Sequence, residues 1–144
     1  MAIDDLLRTL ATATKQRFAD WSSVKVPSAV GVYAVWDQDE RRLLYVGWAG
    51  NLRDRLKSHA IGRRSGDQFC VYVFDRFVLP ALSAEEIHKA AEDLISLDAK
   101  VRDYIRKHCS YSLVTTANKH DARSLEQRAC RGLPSIGKPL LNPL

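Results

Sequence analysis

The sequence predicts an α+β domain: a small three-stranded mixed or antiparallel sheet flanked by helices, with an accessory strand and a long helix inserted before the last strand. Three observations predict it. Two β-rich runs joined by a polar turn open the sheet, capped helical stripes follow, and strands then alternate with helices too irregularly for a repeating β-α-β pattern. The length of 144 residues is close to the roughly 150 of a typical single domain, so residues 1–144 are read as one unit.

The first segment, 1–22, is read as a leading helix. Leu6, Leu7, Leu10, Ala13 and Phe18 recur at mostly helical spacing behind Asp4 and Asp5, whose charges suit the positive end of a helix dipole. Pro27 ends the connection. Ala29 to Trp36 then reads as a strand, rich in β-branched and aromatic residues, and Leu43 to Val46 as its return, with Asp37 to Arg42 as the turn between them. From Gly50 the pattern becomes helical: Asn51 is the N-cap, Asp54 lies in the first turn, Leu52, Leu56 and Ala60 form one stripe, and Gly62 closes it.

Residues 69–109 read as an accessory insertion. Phe69 to Leu79 is β-rich and ends at Pro80, so a strand is expected there. Ser83 and Glu86 form a capping box. Ile87, Ala90, Leu94, Leu97, Val101 and Tyr104 follow at near-heptad spacing to a basic end at Arg106, Lys107 and His108, predicting one helix of about 25 residues, roughly 37 Å long. Its stripe fits packing on its own core or, alternatively, a dimer contact through 83–108 or a DNA-reading element. Tyr111 to Thr116 reads as the core strand, and Ala122 to Arg131 as a helix started by Asp121 and stopped by Gly132.

Composition narrows the function. Twenty-two Lys and Arg against seventeen Asp and Glu give a net charge of +5, which suits either a polyanionic partner or plain solubility. The apolar share of 46% supports a real core and excludes disorder over the whole chain. No apolar stretch approaches the ~20 residues of a membrane span, and the first residues lack a basic region followed by an apolar one, so a cytoplasmic protein is expected. Cys70, Cys109 and Cys130 are odd in number and far apart, which supports neither a disulfide framework nor a cysteine zinc site.

The residues that suggest chemistry begin in the hairpin. Gly31-Val32-Tyr33 and Tyr45-Val46-Gly47 put one tyrosine on each strand, where cross-strand packing alone could explain them. Arg55 and His59 then fall four apart on the face that carries Leu52 and Leu56. On that stripe they read either as functional groups or as an ion pair and a satisfied core histidine.

Together these motifs resemble the GIY-YIG nuclease superfamily, which includes intron homing endonucleases and some restriction enzymes. The resemblance rests on both hairpin triplets, on the Asn51 to His59 helix, on Ala122-Arg123-Ser124-Leu125-Glu126 and on the tail Gly137 to Pro143. It spans about Val30 to Asn142, with valine for isoleucine in both triplets, and the 69–109 segment is bulkier than the family core. The resemblance implies a metal-dependent endonuclease acting on DNA, with Tyr33, Tyr45, Arg55, His59, Glu126 and Asn142 as catalytic residues and Glu126 as metal ligand. The alternative is a nucleic-acid-binding module of the same fold with weak or no catalysis.

By the same resemblance Tyr33 is the general base and Tyr45 orients the water, though the division of labour among Tyr33, Tyr45 and His59 stays open. Arg55 would hold a non-bridging phosphate oxygen, and Asn142 would tie the tail into the site. Glu126 stacks with Ala122 and Ala129 on a small-residue face, where a carboxylate must be paired or bound to a cation. Mg²⁺ is the natural guest, with Mn²⁺ as a substitute, and a salt bridge to Arg55 is the plain alternative. Arg53, Lys57, Arg63 and Arg64 extend a basic surface that could track a phosphate backbone. Nothing in the sequence separates DNA from RNA as substrate.

Overall fold

A computed structural model describes residues 2–39 and 41–143. The chain is α+β. In order it forms α1 (Ile3–Thr12), β1 (Gln16–Arg17), β2 (Gly31–Asp37), β3 (Arg42–Ala49), α2 (Leu52–Ile61), α3 (Gln68–Val73), α4 (Ala84–Ala91), α5 (Leu97–His108), β4 (Cys109–Thr115) and α6 (Lys119–Cys130). The sheet runs β1-β4-β2-β3, and every pairing in it is antiparallel.

The central strand β2 is buried along its whole length, because helices cover both faces of the sheet. Alternation sorts its side chains. Val32, Ala34 and Trp36 join Leu7 and Leu10 of α1 and Ala122, Leu125 and Ala129 of α6 on one face. Tyr33 and Val35 join Leu52 and Leu56 of α2, Phe69 and Val73 of α3, and Val101 and Ile105 of α5 on the other. In the hairpin, Val35 opposes Tyr45 while Trp36 opposes Leu43, so Leu44 is the extra residue of a β-bulge. That bulge lets Leu44 and Tyr45 serve the same face as Tyr33.

β3 lies at the edge of the sheet, and the C-terminal tail covers it. Leu140 and Leu141 donate their backbone N–H groups to the Leu43 and Leu44 carbonyls at 3.2 and 2.8 Å. Unpaired edge groups are thereby satisfied. No helix among the described residues is long and apolar enough to cross a membrane.

Four expectations are corrected. Phe69 to Leu79 is not an accessory strand but α3, a π-helical turn over Phe74–Val78 and a 3₁₀ turn over Leu79–Ala81. A short apolar run does not separate a buried strand from a buried helix; here Asp67 caps the helix by accepting from the Cys70 N–H at 3.0 Å. The single helix expected over 83–108 is two helices. Its capping box forms as expected, but the chain leaves α4 through Asp93 at φ 58° and restarts at Ser96, which caps Ala99. Of the near-heptad stripe only Val101 is buried, while Ile87 and Leu94 are 49% and 66% exposed, so the stripe does not run on as one packed helix face over 83–108.

The leading helix stops at Thr12, short of residue 22. Phe18 passes to the other face of the sheet, where its ring lies 5.0 Å from that of Tyr111, and β1 adds a fourth strand beside β4. Finally, α6 starts three residues before Ala122, with Asn118 rather than Asp121 as N-cap: the Asn118 side chain accepts from the Asp121 N–H at 2.8 Å.

Candidate active site

The two hairpin triplets are shaped by close approach. Tyr33 lies directly opposite Gly47, and a Cβ on Gly47 would overlap the Tyr33 hydroxyl and come 2.6 Å from its ring carbon Cζ. A Cβ on Gly31 would overlap the Val114 carbonyl oxygen of β4. Glycine at these two positions thus lets the ring of Tyr33 lie flat over β3 and lets β2 approach β4.

Tyr33 is fully buried, and its hydroxyl meets His59 Nε2 at 2.7 Å. On the other side of the imidazole, His59 Nδ1 lies 2.7 Å from Asp67 Oδ2. Asp67 is itself tightly held: the Ser58 hydroxyl donates to the same oxygen at 2.6 Å, and the Cys70 N–H donates to Oδ1. The row Tyr33–His59–Asp67 therefore joins β2, α2 and the start of α3. Phe69 walls it, its ring 4.7 Å from the imidazole and 5.2 Å from that of Tyr45.

Tyr45 is only half-buried and rests against Tyr33 and Tyr72, with ring centroids 6.3 and 6.2 Å away. Arg55 is exposed at the rim, not sunk in the apolar stripe, and its guanidinium acts on both tyrosines. Burial pushes the Tyr33 hydroxyl well above the usual tyrosine range; Tyr45 and Asp67 add to the rise, and Arg55 opposes it as a charge and as a hydrogen-bond donor. Burial also raises Tyr45, to about 12, with Tyr72, Asp67 and Glu126 adding and Arg55 opposing. Neither tyrosine is a resting phenolate.

Asp67 goes the other way. Burial alone would raise its carboxyl, but the His59 hydrogen bond and charge, with Ser58 and the Cys70 N–H, bring it down to about 2. Because the folded value lies below the ordinary aspartate value of about 4, the carboxylate adds stability that is complete above about pH 4 and lost as pH falls towards 2. Denaturant titrations across pH 2 to 6 are expected to show an acid-side loss on the order of 2 kcal/mol that Asp67→Asn abolishes.

Ala122 and Ala129 are buried as expected, on the face of the sheet opposite Tyr33, while the Glu126 carboxylate lies close enough to the tyrosine cluster for Tyr45 to feel its charge. The salt bridge to Arg55 does not form among the described residues. Its carboxylate is half-buried and, among the described residues, accepts from the Cys130 thiol alone at 3.1 Å, a weak donor. That leaves lone pairs for a hard cation, so Glu126 fits Mg²⁺ held by one carboxylate with water filling the other positions. His59, Asp67 and Cys70 also place ligand atoms within 4.8 Å of one another. Their donors already satisfy each other, and burial beside Asp67 keeps the thiol protonated, so this set suits Mg²⁺ poorly.

The remaining candidates divide. Asn142 ties the tail to β3 next to Tyr45: its Oδ1 accepts from the Val46 N–H and its Nδ2 donates to the Val46 carbonyl, both at 2.8 Å. With both amide atoms engaged it positions the strand and is not free to touch a substrate. Lys57 and Arg63 are exposed as a phosphate track requires. Arg53 instead donates to the Val26 carbonyl at 2.9 Å, and Arg64 pairs with Asp98 at 2.7 Å and lies over Phe74. Both cations are committed to holding loops.

Asp67 was not legible as a site residue, because its signal, an N-cap, belongs to a helix that reads as a strand. Compared with family models, with curated proteins and with solved structures, the chain matches none.

Proposed function

We propose that the protein is a metal-dependent endonuclease that hydrolyses DNA phosphodiester bonds at the Tyr33–Tyr45–Arg55–His59 cluster. The observation that carries this reading is the buried 2.7 Å contact between the Tyr33 hydroxyl and His59 Nε2, lying beneath an exposed arginine. A buried tyrosine bonded to a nitrogen base can take a proton from water while shedding its own, which its raised pKa otherwise forbids at neutral pH.

The chemistry follows from the layout. Arg55 turns its fork of donors to a non-bridging phosphate oxygen, a contact that strengthens as charge grows there. In doing so it leaves the Tyr33 oxygen, which accepts a proton from the attacking water as the Tyr33 proton passes to His59 Nε2. The water oxygen bonds to phosphorus, the bond to the 3′ oxygen breaks, and that oxygen takes a proton from solvent; His59 returns its proton to solvent. Tyr45, with a half-exposed ring beside Arg55, orients the water. A divalent ion held by Glu126 would supply positive charge to the phosphoryl and leaving oxygens. Lys57 and Arg63 would follow the backbone without reading sequence.

One observation favours the other reading, a binding module without catalysis: Tyr33 is 0% exposed, so water reaches it only if groups packed around it, Arg55 among them, move. Incubation of circular and branched DNA, with RNA in parallel, decides between the two. Cutting with Mg²⁺, its loss in EDTA and a fall of about 1,000-fold in Glu126→Ala are the expected results. Retention of DNA without cutting under every condition leaves the binding module.

A further inference from the structure

The Tyr33–His59 pair works as a proton acceptor only if the imidazole carries its proton on Nδ1, leaving Nε2 with a lone pair. Free histidine does not favour that tautomer, so something must impose it. We infer that Asp67 is the positioning residue that does so, an inference that rests on the nuclease reading of the same site.

The geometry is specific. Asp67 Oδ2 lies 2.7 Å from Nδ1, and the side chains of His59 and Asp67 are each 2% exposed, so no water competes for the ring. A carboxylate held at about 2 is an acceptor only and therefore demands a proton on Nδ1. It cannot rotate away, because Ser58 and the Cys70 N–H hold its two oxygens at 2.6 and 3.0 Å. With Nδ1 fixed as donor, Nε2 must accept from the Tyr33 hydroxyl. In the proposed reaction one proton then moves from Tyr33 to Nε2 and one from water to Tyr33, with no proton passing to Asp67. The same logic governs the aspartate behind the histidine of hydrolase triads.

Placement supports the assignment. Asp67 caps α3, the helix that brings Phe69 against both the imidazole and Tyr45. One carboxylate thus sets the proton position and the aromatic wall together.

Asp67→Asn tests this. Its oxygen can keep the Cys70 cap while its amide group donates to Nδ1, which forces the proton onto Nε2 and turns His59 from acceptor into donor. Ring ¹⁵N spectra at pH 8, with His59 signals identified by their absence from His59→Gln, are expected to show the Nδ1–H form in the natural protein and the Nε2–H form in Asp67→Asn. Single-turnover cleavage of plasmid DNA with Mg²⁺ is expected to fall about 100-fold or more with KM changed less than about twofold, and Asp67→Glu to recover part of it. An Nε2–H imidazole in the natural protein, or Asp67→Asn cutting at the natural rate, overturns the inference. An Nδ1–H imidazole in a protein that cuts neither DNA nor RNA upholds the positioning by Asp67 and refutes the nuclease reading alone.

Discussion

Tyr33→Phe is expected to lower single-turnover cleavage by at least about 100-fold, the usual contribution of a positioned acid or base, while the protein stays folded. The substitution removes one oxygen. Because Tyr33 is fully buried and the ring remains, packing over Gly47 and beside Tyr45 is kept. Losing the hydrogen bond leaves His59 Nε2 buried and unpaired, a cost of about 1–3 kcal/mol, too little to unfold a domain whose central strand is covered on both faces. Matched melting curves beside the cleavage rates separate chemistry from folding. Cleavage undiminished in Tyr33→Phe would take Tyr33 out of the base role and pass it to Tyr45, the half-exposed neighbour.

A methyl group on Gly31 should do the opposite, destroying stability before chemistry. Its Cβ would overlap the Val114 carbonyl oxygen, come 2.8 Å from Leu52 Cδ1 and sit 3.0 Å from the Thr115 Cα. Two of those three atoms are backbone of β4, so the strands themselves must part. Overpacking of this kind costs about 3 kcal/mol, or a fall in Tm of roughly 10 °C at this chain length. The three atoms nearest a Cβ on Gly47 all belong to the Tyr33 side chain, so Gly47→Ala should disturb the Tyr33–His59 contact more than the fold. Thermal melts of the two variants should therefore rank Gly31→Ala as the less stable. Equal melting temperatures would mean that β2 and β4 can spread apart at little cost.

Local chemistry was readable wherever it acts within a few residues. The hairpin, the Asn51 cap, the capping box at Ser83 and Glu86 and the small face of α6 all follow from periodicity and capping. The meeting of Tyr33 with His59 does not follow from them; the structure brings the strand and the helix together. The misread pieces lie where local signals conflict with long-range packing. Phe69, Cys70 and Val73 suit a strand or a helix equally; a cap from Asp67 and a place against α2 and α5 chose the helix. The 83–108 stripe persisted in sequence across a break at Asp93 that only its backbone conformation reveals.

The sequence by itself determined the class of fold, the opening hairpin and the capped helix that carries Arg55 and His59 on one face, because these depend on spacing along the chain. Tertiary structure alone decided which groups are free to react. Burial took Tyr33 out of contact with solvent, the Val46 backbone occupied Asn142, and Asp98 neutralised Arg64. It also delivered Asp67 to the far side of His59. A side chain's partners, and hence its proton affinity and availability, are set by groups distant in sequence, and those become neighbours only when the sheet and its two helical layers close.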